Sequence, residues 1–209
     1  EDEQIIITHR GDLCIVQGLP ELTELVRLGG SYQAQTATGL AALTALPTVT
    51  AAMSIYNGEP GGGKSYLIES FGSWEAVVDA TQADITALFA MLNAGTVAAP
   101  TTGTVITPAT GFKSLSGRKG YGGRAIVNGG AVGVTVVNDG WFGHGAEAQA
   151  PLAPAVAGAI WKVNEARVRG LYLVPPGGQF NIQTTKVAAA VAQQFWFIRW
   201  HEVQLIVQT

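Results

Sequence analysis

Cysteine is almost missing from this sequence: its 209 residues include only Cys14, so the chain cannot form an internal disulfide. Cys14 lies in a short apolar run, where we expect a buried, structural thiol rather than a reactive one. Without a disulfide the fold has to be stabilised by its core, and a chain of this length can bury a large one.

Charge is also scarce. Charged residues make up 13% of the chain and apolar residues 47%, whereas soluble domains usually carry about 25% charged residues. The net charge is −3 and Lys and Arg are scattered, so we expect no nucleic-acid partner. No apolar run approaches the roughly 18 residues of a membrane helix, so we expect no membrane partner. The apolar excess indicates a large core or apolar surface covered by another subunit, and we favour the second.

Groups that could support catalysis or metal binding are few. His9, His144 and His201 have no other His, Cys or carboxylate at a metal-like spacing. The sequence contains no nucleophile elbow and no obvious pair of carboxylates for general acid–base work. We therefore expect that the protein is not an enzyme, binds no metal and uses no cofactor.

Turn-forming residues are abundant, and they separate short runs rich in Val, Ile, Thr and aromatics. Asn57-Gly58, Asn128-Gly129 and the Pro-Pro-Gly-Gly at 175–178 are examples. Short strands at this spacing predict an all-β sandwich or barrel. The predicted strands are residues 5–8, 13–17, 49–57, 65–71, 74–79, 85–93, 124–127, 132–137, 160–168, 170–174, 179–183 and 195–207.

The clearest hairpin signal and two loop-like segments refine this prediction. Asn128-Gly129 between two β-branched runs predicts a hairpin over residues 124–137. Residues 96–123 and 144–158 are rich in Gly, Pro, Ala or Thr, and predict long loops that serve as interface arms or lie exposed.

Helical signal is weak. Residues 20–28 could form a short helix, 84–92 fit either helix or strand, and the Ala-rich 187–194 could turn helically. No internal repeat or charged linker divides the chain. We predict a single domain over 1–209, in which 1–48 could serve as an N-terminal arm or interface segment.

One motif points to nucleotide binding. The eight residues from Gly58 to Ser65 read Gly-Glu-Pro-Gly-Gly-Gly-Lys-Ser and match the phosphate-loop pattern at Gly58, Gly63, Lys64 and Ser65. In that pattern, loop amides cradle phosphates, the lysine reaches the outer phosphates and the serine binds magnesium. A long helix must follow, but the next residues, with Gly72, favour a strand. We prefer a glycine-rich loop between two antiparallel strands, with Lys64 in solvent.

Two aromatic pairs are the candidates for contact with a partner. Trp141 and Phe142 lie between glycines, and large aromatics on such a turn often mark an interface. Phe195 and Trp196 begin a run that is apolar on both faces, whereas the rest of that predicted strand alternates between apolar and polar residues. This difference indicates that something else covers one end of the strand.

The chain resembles virion structural proteins of bacteriophages, in particular jelly-roll capsid and decoration (cement) proteins. The resemblance lies in the strand-rich, Gly/Ala/Thr/Val-heavy segments 64–93, 122–142 and 171–207, including the Tyr-Leu-Val-Pro-Pro-Gly-Gly turn at 172–178. It implies a jelly-roll-like antiparallel sandwich, often trimeric, attached to a capsid lattice and without catalytic residues.

We therefore expect a virion protein, more specifically a capsid decoration or minor capsid component that stabilises a shell. Its expected partners are copies of itself, with a homotrimer favoured, and a major capsid protein or another virion protein. The alternative is a receptor- or carbohydrate-binding sandwich similar to a fibre head, with Trp141 and Tyr121 stacking on sugars. A phosphate-loop nucleotide-binding protein is the third hypothesis.

Overall fold

The computed structural model describes residues 5–7, 13–15, 26, 29–37, 40–41, 43–47, 49–77, 84–107, 112–114, 124–134, 140–149, 160–186 and 193–204. These residues contain almost no helix and form fourteen strands. The strands are β1 (Ile5–Ile7), β2 (Leu13–Ile15), β3 (Ser31–Gln35), β4 (Leu40–Ala41), β5 (Thr50–Asn57), β6 (Ser65–Val77), β7 (Asp84–Asn93), β8 (Thr104–Ile106), β9 (Phe112–Ser114), β10 (Ala125–Gly133), β11 (Phe142–Gln149), β12 (Ile160–Val174), β13 (Gln179–Lys186) and β14 (Gln193–Val203).

Most strands belong to two large antiparallel sheets. Sheet I has the strand order β11-β7-β13-β5-β10-β8, and sheet II has the order β12-β6-β14-β3-β9, with β4 also pairing with β14. Strands β1 and β2 pair with each other in a separate small sheet. The prediction of an all-β antiparallel sandwich is confirmed, while its assignment to the jelly-roll type stays a prediction.

Side chains from both large sheets meet in one core, which is what defines a sandwich. Phe180 and Ile182 on β13 and Trp196, Ile198 and Trp200 on β14 belong to the same buried cluster. The alternate spacing within each strand is the period of two that turns every second side chain inward.

The predicted hairpin at Asn128-Gly129 is wrong, because β10 runs straight through these residues. It pairs with β5 on both sides of a register shift between Gly129 and Val132. Gly130 and Ala131 absorb the irregularity with φ angles of 78° and 50°. Since β5 offers hydrogen-bonding partners on both sides, the extra residues form a bulge instead of reversing the chain.

Strands β6 and β12 likewise each join two predicted strands. β6 continues through Gly72, where the sequence analysis placed a break. β12 continues through Arg169 and Gly170, which have φ angles of 46° and 86°, and its register against β6 shifts between Arg167 and Tyr172. Both strands, with 13 and 15 residues, are therefore much longer than the usual strand of about five or six residues.

Several segments differ from their predicted state. The predicted loop 96–123 contains β8 and β9, and the predicted loop 144–158 contains most of β11. Within the segment expected to be an arm, β3 lies inside sheet II and contributes Tyr32 to the core. The ambiguous segment 84–92 lies in β7. The possible helix over residues 20–28 falls outside the described residues, apart from Val26.

Candidate interaction surface

The outward face of sheet II carries a cluster of aromatic and apolar side chains. Trp74 on β6 is paired with Val163 on β12 and with Phe195 on β14, so these three side chains share one face. Phe197 lies two residues further along β14 and points the same way. We call Trp74, Val163, Phe195 and Phe197 the aromatic patch.

The aromatic patch is partly open to solvent. Trp74 is 37% exposed and Val163 is 36% exposed. The rings of Trp74 and Phe197 have centroids 6.4 Å apart. The Phe197 ring packs directly against the backbone of β6 because it lies over Gly72, which has no side chain. A sheet face with a half-exposed indole at its centre is suited to contact with another surface.

Charged side chains border the aromatic patch. Arg199 Nη1 lies 3.0 Å from Glu165 Oε1, and the Arg199 guanidinium carbon lies 5.5 Å from the Phe197 ring centroid. Arg167 Nε lies 3.4 Å from Glu165 Oε2. Exposed ion pairs of this kind add little stability. Their effect is to hold the Arg199 guanidinium beside the aromatic rings.

At the far end of the same face, three residues form a line of close polar contacts. Ser31 Oγ lies 2.5 Å from His201 Nδ1, and His201 Nε2 lies 3.1 Å from Glu69 Oε2. Burial lowers the pKa of His201, and the nearby Glu69 carboxylate acts in the opposite direction. Ser31 is fully buried, so its hydroxyl is out of reach of a substrate. The line therefore links β3, β14 and β6 instead of forming a hydrolytic site.

In the first predicted aromatic pair, Trp141 and Phe142, only Phe142 is largely exposed to solvent, with a relative exposure of 54%. It begins β11, which forms an edge of sheet I. Trp141 is partly buried and donates from Nε1 to the carbonyl oxygen of Pro47 at 2.9 Å. Further along β11, His144 Nε2 lies 2.6 Å from the Tyr172 hydroxyl, and burial lowers the pKa of this histidine.

The second predicted pair points to opposite sides of β14. Phe195 belongs to the aromatic patch, whereas Trp196 is 1% exposed and donates from Nε1 to Thr184 Oγ1 at 3.2 Å. Trp196 is therefore part of the core rather than of a surface. Trp74 was not among the predicted interface residues. The apolar run on β14 indicated that this strand is covered on both faces. That Trp74 lies beside Phe195 follows only from the pairing register between β6 and β14.

The glycine-rich loop joins β5 of sheet I to β6 of sheet II, so the two flanking strands belong to different sheets. Ser65 begins β6, where a phosphate loop would continue as a helix. The amides of Gly58 and Gly63 donate to carbonyl oxygens of the protein itself. Lys64, which we expected in solvent, lies 3.0 Å from Glu202 Oε2. The loop therefore connects the two sheets at one end of the sandwich, and these two amides already have partners within the protein.

Within the described ranges, no three His, Cys, Asp or Glu residues are grouped in a way that could hold a metal ion. The same part of the chain includes no helix with the length and apolar character needed to cross a membrane. Comparison with known proteins found no matching family model, no matching curated protein and no matching solved structure.

Proposed function

We propose that this chain is a virion structural protein, a capsid decoration or minor capsid component that stabilises a shell through self-association and contacts with a capsid lattice. The observation that supports this best is the aromatic patch on the outward face of sheet II, bordered by Arg199 and Glu165. An aromatic centre with a polar rim is the usual composition of a protein–protein interface.

The low charge of the chain supports the same proposal. With 13% charged residues, copies of the protein repel one another weakly when they pack closely. Each contact contributes only about 25 cal/mol per Å² of apolar surface removed from water. A symmetric assembly repeats that contact at every interface, so modest patches suffice. The preference for a trimer comes from the resemblance to jelly-roll virion proteins.

Native mass measured at several protein concentrations tests this proposal. We expect a discrete trimer or a larger closed assembly for the parent protein. Trp74→Ser should shift the population towards monomer, because it removes the centre of the aromatic patch. Val105→Ser is the matched control, since Val105 is 54% exposed but lies on β8 of sheet I. A parent protein that stays monomeric at micromolar concentration would contradict the proposal.

A second function, recognition of a carbohydrate, is favoured by the same tryptophan. A half-exposed indole with a fixed guanidinium and carboxylate beside it offers a stacking face and hydrogen-bonding groups for a sugar. In this second hypothesis Trp74 takes the sugar-stacking role that was expected of Trp141, because Trp141 is partly buried and its indole N–H donates to the Pro47 carbonyl oxygen. Tyr121, the other expected residue, lies outside the described residues.

A glycan array distinguishes the two functions. A carbohydrate-binding module should stay monomeric and bind a defined glycan, and both Trp74→Ser and Arg199→Ala should weaken that binding. An assembly protein should show no glycan signal and should lose its oligomers with Trp74→Ser.

A further inference from the structure

A buried polar cluster joins the two sheets at one end of the sandwich. It contains a charged pair, Lys186 on β13 and Glu75 on β6, whose side chains are 1% and 3% exposed. Charges are expensive to bury unless they are paired and hydrogen-bonded. The Thr86 hydroxyl on β7 donates to Glu75 Oε2 at 2.8 Å, which gives the carboxylate a second partner. The arrangement keeps an amine and a carboxylate in contact away from water.

A buried carboxamide stands next to this pair. Gln194 on β14 is the register partner of Glu75 on β6, so the two side chains lie side by side on the inner face of sheet II. Gln194 is fully buried. Among the described residues, its Nε2 has no hydrogen-bond partner. A carboxamide nitrogen without a hydrogen-bond acceptor is uncommon in a protein interior. If a nucleophile attacked the Gln194 carboxamide carbon, this nitrogen would be the leaving group.

The oxygen of the same carboxamide is held firmly. The Thr184 hydroxyl on β13 donates to Gln194 Oε1, and the Trp196 indole donates to Thr184 Oγ1 at 3.2 Å. Hydrogen bonds that follow one another in a chain polarise each other, so the chain from Trp196 through Thr184 to Gln194 draws electron density towards Gln194 Oε1. A fixed donor at a carbonyl oxygen also stabilises the negative charge that forms there during attack by a nucleophile.

We propose that Lys186 and Gln194 react to form an intramolecular isopeptide bond, with Glu75 carrying the proton. The Lys186 ammonium first transfers a proton to Glu75, and the neutral amine attacks Gln194 Cδ. The negative charge on Oε1 is stabilised by the Thr184 hydroxyl. Glu75 gives that proton to Nε2, and the Cδ–Nε2 bond breaks to release ammonia. The Glu75 carboxylate then takes the second proton from Nζ and passes it to the ammonia, which leaves as ammonium, and the neutral Cδ–Nζ amide remains.

The atoms and charges balance without any added reagent. A lysine ammonium and a glutamine carboxamide become a secondary amide and one ammonium ion, and the Glu75 carboxylate is regenerated. Exclusion of water from the cluster protects the reaction from competing hydrolysis. The bond would link β13 of sheet I to β14 of sheet II, a covalent tie between the two layers. It does not depend on the proposed virion role.

The intact mass of the purified protein under denaturing conditions tests the proposal directly. We expect a mass lower by one ammonia than the mass of the linear chain. Trypsin should fail to cut after Lys186, leaving one peptide over residues 170–199 that is also lighter by one ammonia. A full linear mass, or normal cleavage after Lys186, would overturn the proposal.

Variants identify the acceptor. Gln194→Met removes the carboxamide but keeps the Lys186–Glu75 pair, and it should restore the linear mass and the tryptic cut. Asn164→Asp is the control, because Asn164 is the other buried carboxamide near Thr86, with its Nδ2 donating to the Thr86 carbonyl oxygen at 3.3 Å. This control should still lose one ammonia. A cross-linked pair joining peptide 163–167 to peptide 170–199 would overturn the assignment to Gln194.

Discussion

Gly72 on β6 lies directly beneath the ring of Phe197 on β14. A Cβ atom added to Gly72 would come 2.9 Å from Phe197 Cζ and 2.1 Å from the carbonyl oxygen of Asn164. The second distance involves backbone, which cannot move aside cheaply. The aromatic patch therefore depends on a residue without a side chain in the middle of a long strand.

Gly72→Ala should destabilise the protein by about 1–3 kcal/mol, the usual cost of forcing extra volume into a packed site. Chemical denaturation followed by tryptophan fluorescence measures the change. Gly61→Ala is the matched control, because nothing lies within 4 Å of a Cβ at Gly61, and it should have no effect. Equal stabilities for the two variants would show that both the Phe197 ring and the backbone at Asn164 can move aside at little cost.

The free energy of unfolding should fall as the pH is lowered, because His201 is buried in its neutral form. Burial lowers the pKa of this histidine, so the unfolded chain binds a proton more readily than the folded one. Its contribution is complete above the unfolded pKa of about 6.5 and is lost as the pH falls below that value. Urea titrations between pH 8 and pH 5 should show a steeper loss for the parent protein than for His201→Gln.

His144 needs its own variant in that experiment, because burial lowers its pKa too. His144→Gln should remove a second part of the pH dependence. A parent protein whose stability does not change over this range would show that both imidazoles bind protons as readily in the folded protein as in the unfolded chain.

Lys64→Met should lower stability by about 1 kcal/mol and leave the fold intact. The variant removes the partner 3.0 Å from Glu202 Oε2, and the Glu202 carboxylate is buried while Lys64 is half-exposed. The hydrogen bond to Glu202 raises the pKa of Lys64, so the pair is intact at neutral pH. A double-mutant cycle that combines Lys64→Met with Glu202→Gln measures the coupling energy between the two side chains. If the single changes simply add, the pair contributes nothing.

Asn57→Ala should lower the free energy of unfolding by about 3 kcal/mol, more than Lys64→Met, because it removes a buried side chain with three hydrogen bonds. Asn57 Nδ2 donates to the carbonyl oxygens of Lys64 at 2.9 Å and Val174 at 3.0 Å, and Oδ1 accepts from the Glu59 amide at 3.0 Å. Thermal unfolding measures the loss. An unchanged melting temperature would mean that water replaces these bonds.

Apolar runs bounded by turn residues allowed several of the long strands to be predicted. The bounds of β5, β7 and β13 lie close to the predicted ones, because short runs that contain β-branched and aromatic residues and end at turn signals are typical of strands. Asn128-Gly129 misled the prediction, since the same dipeptide fits a turn and a bulge, and only the partner strand β5 decides between them.

Residues far apart in sequence were harder to place. Trp74, Glu165 and Arg199 lie on different strands, and nothing local to any of them indicates that they share one face. The buried pair of Lys186 and Glu75 was missed for the same reason. Burial of a charge becomes predictable only when the pairing of strands is known, because the partner that compensates it is distant in sequence.

The order of strands in sheet II also affects how the protein is made. β14 occupies an interior position between β6 and β3, although it is the last strand described along the chain. A ribosome has to deliver residues up to Val203 before the sheet can close, so Trp196 and Trp200 arrive after the strands that will bury them. Such long-range pairing is slow, on a scale of about milliseconds to seconds. Until then the nascent chain exposes open strand edges, and binding by a chaperone at this stage would protect it from aggregation.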